Sequence, residues 1–440
     1  MLRSQPDRKV SIAFLGWFGA GNLGNECTLQ AMIHHCRSAW PEAVLRCICV
    51  VPEDVEARHG IAAIPINEIP LHPAVGTPRP RSRSMAKRVV GKLKTLVGRL
   101  PVELAGWTRA FRTLMSTDML IVPGTGLLTD AYASPFGWPY IIFRWSWAAK
   151  LCRCRLLFVS VGAGPIYHPL SRWFFRSALA VAGFRSYRDC ASQEYLNSIG
   201  ISGSGDRVYP DLAFSLPDQV MPVGEKLLRQ APVVGLGMMH YAGRLSVANP
   251  AEATYRTYLK ELAEFANWLL VHQYDISLLI GDASDDPHVV DDFKELLRQY
   301  QSYDPSRIID APIQTVSGLL ARLAETDAIV ATRFHNALLA LVLHRPVIGI
   351  SFHQKCVSLM DRMGLSEYCE SIDHFSAESL IRTFCRLKQN SESVDVLTRR
   401  KVAEQGEALE EQYGIIFGKP ARAPRQRGYR ACVTSGASPK

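Results

Sequence analysis

Thr326-Asp-Ala-Ile-Val-Ala-Thr-Arg-Phe-His-Asn-Ala-Leu-Leu-Ala-Leu-Val-Leu-His-Arg-Pro-Val-Ile-Gly-Ile-Ser-Phe-His-Gln-Lys355 decides the architecture. Ala328 to Ala331 is short, apolar and rich in β-branched residues. Asn336 to Leu343 is a run of helix formers, and Val347 to Ser351 is apolar again, so the stretch reads strand, turn, helix, strand. That is one βαβ unit of a parallel sheet. Arg333 and His335 fall where the first strand becomes the helix, at the carboxyl edge where open α/β sheets bind ligands. The helix amino end adds partial positive charge there, which suits an anionic ligand. The competing reading pairs Arg333 with a carboxylate and leaves His335 as a cap or packing residue.

The same alternation extends outward on both sides. Val10 to Gly16 reads as a strand and Cys27 to Arg37 as a helix, with Gly19, Gly21 and Gly24 forming GxGxxG between them. That placement lets backbone N–H groups approach a phosphate. A second strand ends at Pro52-Glu53-Asp54, so the next acid lies later than the dinucleotide fingerprint requires. A third strand runs into Gly124-Thr125-Gly126, and a fourth into Gly162-Ala163-Gly164. Arg188 and Asp189 follow a short strand, and Asp211 follows another. The fold class expected is α/β, with two tandem Rossmann-like domains facing a cleft (GT-B-like). The proline-bearing stretch 217–232 is the expected link, so the domains span residues 1–220 and 221–390. A closing helix over 391–416, able to return to the first domain, precedes a basic tail from 417 to 440. Asp286, before Pro287, is expected to cap a helix.

A chain of 440 residues exceeds what one core usually organises. Its net charge of +9 is uneven. Eight cations lie between Arg79 and Arg99 and six between Lys419 and Lys440, and the remainder is net negative. Nothing marks the folded body as a nucleic-acid binder. Residues 85–99 interleave Val and Leu with Lys and Arg, the pattern of a basic amphipathic helix that rests on anionic lipid or of a solvated face. Eleven cysteines lack CxxC or zinc spacing, and Cys47 with Cys49, like Cys152 with Cys154, would share one face of a strand. An intracellular, reduced chain is expected, cytoplasmic with a peripheral place at the inner membrane face left open. The amino terminus lacks a signal-like apolar run, and no segment has the length of a membrane span.

Several motifs together resemble the polysaccharide pyruvyl transferase family. Gly16-Trp-Phe-Gly-Ala-Gly-Asn-Leu-Gly-Asn-Glu26 is similar to its opening GYYGxGNxGDE, and Gly124-Thr-Gly-Leu-Leu-Thr-Asp130 to its GGGGLLxD. Gly162-Ala-Gly-Pro165, Tyr187-Arg-Asp189, Pro210-Asp-Leu-Ala-Phe214 and Arg333-Phe-His335 resemble GxGIGP, xRD, DPAF and RxH. Asn25, Thr125 and Leu212 depart from the family's Asp, Gly and Pro. The resemblance implies transfer of pyruvyl from phosphoenolpyruvate to a sugar of an exopolysaccharide or its lipid-linked precursor, as a ketal. Phosphoenolpyruvate would be the donor substrate, with no cofactor or metal. His335 would serve as general acid/base, and Arg333 and Arg188 would hold phosphate or carboxylate by forked bonds, all three converging on one anion site. Gly21, Asn22, Gly24, Asn25, Glu26, Gly124, Thr125, Gly126, Asp211 and Lys355 complete the expected substrate contacts. A GT-B nucleotide-sugar glycosyltransferase and a non-catalytic, membrane-docked assembly or binding protein are the alternatives; a nicotinamide oxidoreductase rests on GxGxxG alone.

Overall fold

The computed structural model describes residues 9–67, 101–131, 133–222, 229–241, 250–283 and 286–418. The basic stretch 79–99 and the tail from 419 lie outside the described residues, and so do the readings made on them.

Every described strand belongs to one of two all-parallel sheets. The first contains β1 (Ser11–Leu15), β2 (Val44–Cys49), β3 (Ala62–Pro65), β4 (Met119–Pro123), β5 (Arg155–Val161), β6 (Phe184–Tyr187) and β7 (Arg207–Val208) in the order β3-β2-β1-β4-β5-β6-β7. The second contains β8 (Val233–Gly237), β9 (Asp275–Leu279), β10 (Ile308–Ile309), β11 (Ala328–Ala331), β12 (Val347–Ser351) and β13 (Cys369–Ser371) in the order β10-β9-β8-β11-β12-β13. Strands covered by helices on both faces must be apolar throughout, and β4, β8 and β12 are buried at every residue. The strand order reverses between β1 and β4 and between β8 and β11, so each sheet has a crevice at its carboxyl edge there.

Two compact units result, and their boundary departs from the sequence expectation. The first comprises residues 1–20, 35–188 and 192–208; the second comprises 21–34, 189–191 and 209–440. The sheets do separate across 217–232, but the second unit begins at Tyr209 because the turn at Leu212–Ser215 packs on the closing helix Ser391–Phe417. Tyr209 and Ser215 hydrogen-bond Glu411 and Tyr413 of that helix, both at 2.8 Å. The closing helix is therefore an element of the second unit. The second unit also takes the leading part of the helix Leu23–Ala39, for reasons given below.

The chain carries more regular structure than its periodicity reveals. After Val51 a helix, Pro52–His59, starts on a first-turn proline and ends at Gly60 in the left-handed conformation (φ 61°), leading into β3. After β12 lie the helix Gln354–Arg362, β13 and the helix Ala377–Gln389, the last opened by a Ser376/Ser379 capping box. Cys152 and Cys154 do not share a strand: Cys152 closes the helix Trp138–Leu151 and Cys154 precedes β5.

Candidate functional site

In the second unit, expected residues from four separate stretches of the chain meet at the carboxyl edge of β11. The helix Phe334–Val342 starts there, with Arg333 at its cap position and His335 in its first turn. Residues 21–25 lie against the turn after β9. Leu23 N–H donates to the Gly281 carbonyl (3.1 Å), Ala283 N–H donates to that of Gly21 (2.9 Å), and Asn22 Nδ2 donates to Asp282 Oδ2 (3.2 Å). Asn22 also turns the chain into its helix, its Oδ1 accepting from Asn25 N–H (3.2 Å). This docking brings Gly24 under the imidazole of His335: a Cβ added at Gly24 would stand 1.8 Å from His335 Nδ1. Glycine is required there by the ring.

On the other side of the ring, His335 Nε2 lies 3.8 Å from Asp211 Oδ2, too long for a hydrogen bond and short enough for Coulomb attraction when the ring is protonated. Asp211 is nearly fully buried, and its Oδ1 accepts from Ala213 N–H (3.0 Å), which caps the turn that follows. Glu26 is buried as well; burial first, then Asp211 and Glu26, push the Cys27 thiol far above its ordinary range. The imidazole is thus held between a glycine and a buried carboxylate region.

Arg333 pairs with a carboxylate, as the competing reading of the sequence had it, and the partner is Asp286. Its Nε donates to Asp286 Oδ2 (3.0 Å) and its Nη2 to Asp286 Oδ1, a forked pair with a carboxylate that is 0 % exposed. Asp286 Oδ2 also accepts from Gly281 N–H (3.0 Å) and Asp282 N–H (2.9 Å). The expected cap is corrected accordingly. Asp286 precedes the helix Pro287–Leu297 but makes no side-chain cap bond, because its oxygens are turned back to the guanidinium and the preceding turn. Beneath them Tyr258, fully buried, shares a 3.0 Å hydrogen bond with Thr332 Oγ1; burial, reinforced by Asp286, pushes its phenol up to about 12. Lys355, in the first turn of the helix Gln354–Arg362, reaches the same edge, its Nζ 5.9 Å from the Phe334 ring centroid and 5.5 Å from that of Phe352.

The first unit gathers Gly124, Thr125, Gly126 and Arg188 at its own carboxyl edge. Thr125 carbonyl accepts from Leu127 N–H (2.8 Å) and Gly162 N–H (2.9 Å), and Gly124 N–H donates to Val159 (2.8 Å). Asp130 clamps the next loop, accepting from Tyr167 and His168 N–H at 2.8 and 3.0 Å. Strand β5 shifts register against β6 between Phe158 and Val161, with Ser160 at φ 52° and its N–H bonded to Ser186 Oγ (2.7 Å). After this bulge the Arg188 guanidinium lies on the bare α-carbon of Gly162: a Cβ there would stand 2.6 Å from Nη2. Thr125 Oγ1 is buried with no hydrogen-bond partner among the described residues.

What the sequence reading missed is the partners of Asp286 and Asp282, which lie 47 and 260 positions away. No local pattern signals such pairs. Asn336 was missed also: it is fully buried behind Gly237, and both atoms of its amide lack partners among the described residues.

Comparisons with known proteins bear on both fold and family. No curated protein matches the chain. Among solved structures, the Anabaena protein HepE in complex with UDP and glucose is similar at 12 % identity and TM-score 0.56, covering 93 % of this chain and 99 % of that one. S. aureus MnaA with UDP matches at 10 % identity and TM-score 0.55, covering 92 % and 96 %. A Rickettsia africae glycosyltransferase matches at 11 % identity and TM-score 0.52, covering 94 % and 100 %. These likenesses establish a shared GT-B fold of two doubly wound α/β sheets. The family model "Polysaccharide pyruvyl transferase" matches residues 22–354, a span that takes in Asn22, Arg188, Asp211, Arg333 and His335. With that model covering most of its length, the chain belongs to the polysaccharide pyruvyl transferase family.

Proposed function

We propose that this transferase takes pyruvyl from phosphoenolpyruvate and places it on two hydroxyls of a polysaccharide sugar, or of its lipid-linked precursor, as a cyclic ketal. The observation that carries the reading is the seat of His335, between Gly24 and Asp211 at the head of a helix. The chemistry asks for such a group. A proton goes to the methylene carbon of the enol, and its C2 becomes an oxocarbenium-like centre. One sugar hydroxyl adds to C2, phosphate leaves with the C–O bond electrons, and the second hydroxyl closes the ring. One hydroxyl proton ends in the new methyl group and the other on phosphate, so the reaction needs a proton carrier and no oxidant. An imidazole does this near neutral pH, and Asp211 supplies the opposite charge while the ring is protonated.

Arg333 in this reading is a positioned cation rather than a bare one. Its fork is committed to Asp286, so its role is to hold a fixed positive edge beside His335. Lys355 adds a point charge at that edge, and Arg188, in the first unit, offers a forked donor to an anion there. His335→Gln should lower phosphate release, measured with a competent acceptor, by about 10²-fold or more while phosphoenolpyruvate still raises the melting temperature. Near-normal turnover in that variant would return His335 to a packing role. Stabilisation by a UDP-sugar and not by phosphoenolpyruvate would favour a nucleotide-sugar transferase instead.

A further inference from the structure

Three helices of the first unit, residues 101–114, Trp138–Leu151 and Pro169–Ala180, carry a continuous sheet of aromatic rings toward the surface. Phe143 sits at its centre, 5.2 Å from Trp173, 5.1 Å from Phe174 and 6.4 Å from Trp107 between ring centroids. The margin is exposed: Phe136 is 62 % accessible, Trp173 54 % and Leu104 67 %. Large apolar side chains grouped in this way mark an interaction surface rather than scattered surface hydrophobics.

The charge pattern identifies what the surface fits. From Ala131 to Tyr187 the chain has no Asp or Glu and seven Arg or Lys. Two of them, Arg172 and Arg176, are exposed on the same helix as Trp173, one residue before it and three after. Aromatic rings set among cations, with no acid on the helices Trp138–Leu151 and Pro169–Ala180 and with Glu103 of the first helix paired with Arg144 at 3.6 Å, suit the headgroup level of an anionic bilayer. No helix among the described residues is long and apolar enough to cross a membrane. We propose that this aromatic and basic face of the first unit rests in the interface of an anionic lipid bilayer, with Phe136 and Trp173 inserted and Arg172 and Arg176 against the phosphates.

The test is partition of the full chain onto phosphatidylcholine vesicles with and without phosphatidylglycerol. Phe136→Ser with Trp173→Ser should lower binding to anionic vesicles by about tenfold at all salt concentrations, and Arg172→Gln with Arg176→Gln by about tenfold at low salt only. Brominated lipid should quench tryptophan fluorescence in the wild type and less in Trp173→Phe, a variant that keeps the ring packing and decides the matter if the serine variant folds poorly. Wild-type binding by a folded serine variant would overturn the proposal and assign docking to the cations of residues 79–99 or of the tail. Equal binding to neutral vesicles, or a vesicle-free dimer that the serine variant abolishes, would overturn it as well.

Discussion

Gly24 offers a test in which two physical effects have opposite signs. It sits in the first turn of the helix Leu23–Ala39, where replacing glycine by alanine ordinarily stabilises a helix by up to about 1 kcal/mol. A methyl group there would occupy the place of the His335 ring. Gly24→Ala should therefore cost about 10²-fold in turnover, like loss of the imidazole itself, with little change in melting temperature. Full activity in that variant would show that the ring need not lie where it does. Asp286 makes the complementary case, since its removal should be felt in stability. Asp286→Asn keeps the shape but leaves Arg333 without a counter-charge and turns an amide N–H₂ toward existing donors. The cost should be about 3 kcal/mol, at the lower end for breaking a buried pair because Arg333 is 20 % exposed; the urea midpoint at unchanged m-value measures it. Arg333 and His335 were legible because a charged pair at a strand-to-helix junction stands out locally. Asp286 was not, since an acid before a proline has the same pattern whether it caps its own helix or serves an arginine 47 positions on.

Among the elements, the turn after the helix Phe334–Val342 holds a pH-dependent weak point. His344 has a left-handed backbone, φ 55°, and burial, then the nearby Arg399, hold its pKa below the ordinary 6.5. The fold disfavours the charged ring, so an unfolded chain takes up its proton first. Its contribution to stability is full above 6.5 and is lost as pH falls through that value toward the lowered folded one. His344→Asn, a residue that tolerates this backbone, should narrow the difference in unfolding free energy between pH 7.5 and 5.5. An unchanged difference would place the acid sensitivity elsewhere. Strands such as β4, β8 and β12 were readable because a strand buried on both faces must be apolar at every position. Strand β3, with no buried residue, and β13, three residues long, have no such signature, and they hold their places by pairing with β2 and β12.

For the molecule as a whole, the least legible feature is that the second unit begins twice. Local periodicity marks where strands and helices alternate, but not that residues 21–34 leave the sheet they follow and pack with residues above 209. A fragment starting at Tyr209 would lack the bonds from Gly21, Asn22 and Leu23 to residues 281–283. Such a fragment should show weak near-ultraviolet circular dichroism and regain it when a peptide spanning residues 19–39 is added. Native-like spectra from the fragment alone would show that the first helix is dispensable to that unit.

The same weave sets a timetable for the newly made chain. Gly24 leaves the ribosome about 300 residues ahead of His335, and at roughly 5–20 residues per second the first helix waits on the order of 15–60 s before the residues it must meet exist. During that interval its buried face, Leu23, Cys27, Ala31 and their neighbours, lacks the second unit's share of its cover. The bonds that seat His335 can then form only after the last strands emerge, so active enzyme should trail completed synthesis and respond to chaperones that shield the amino-terminal segment.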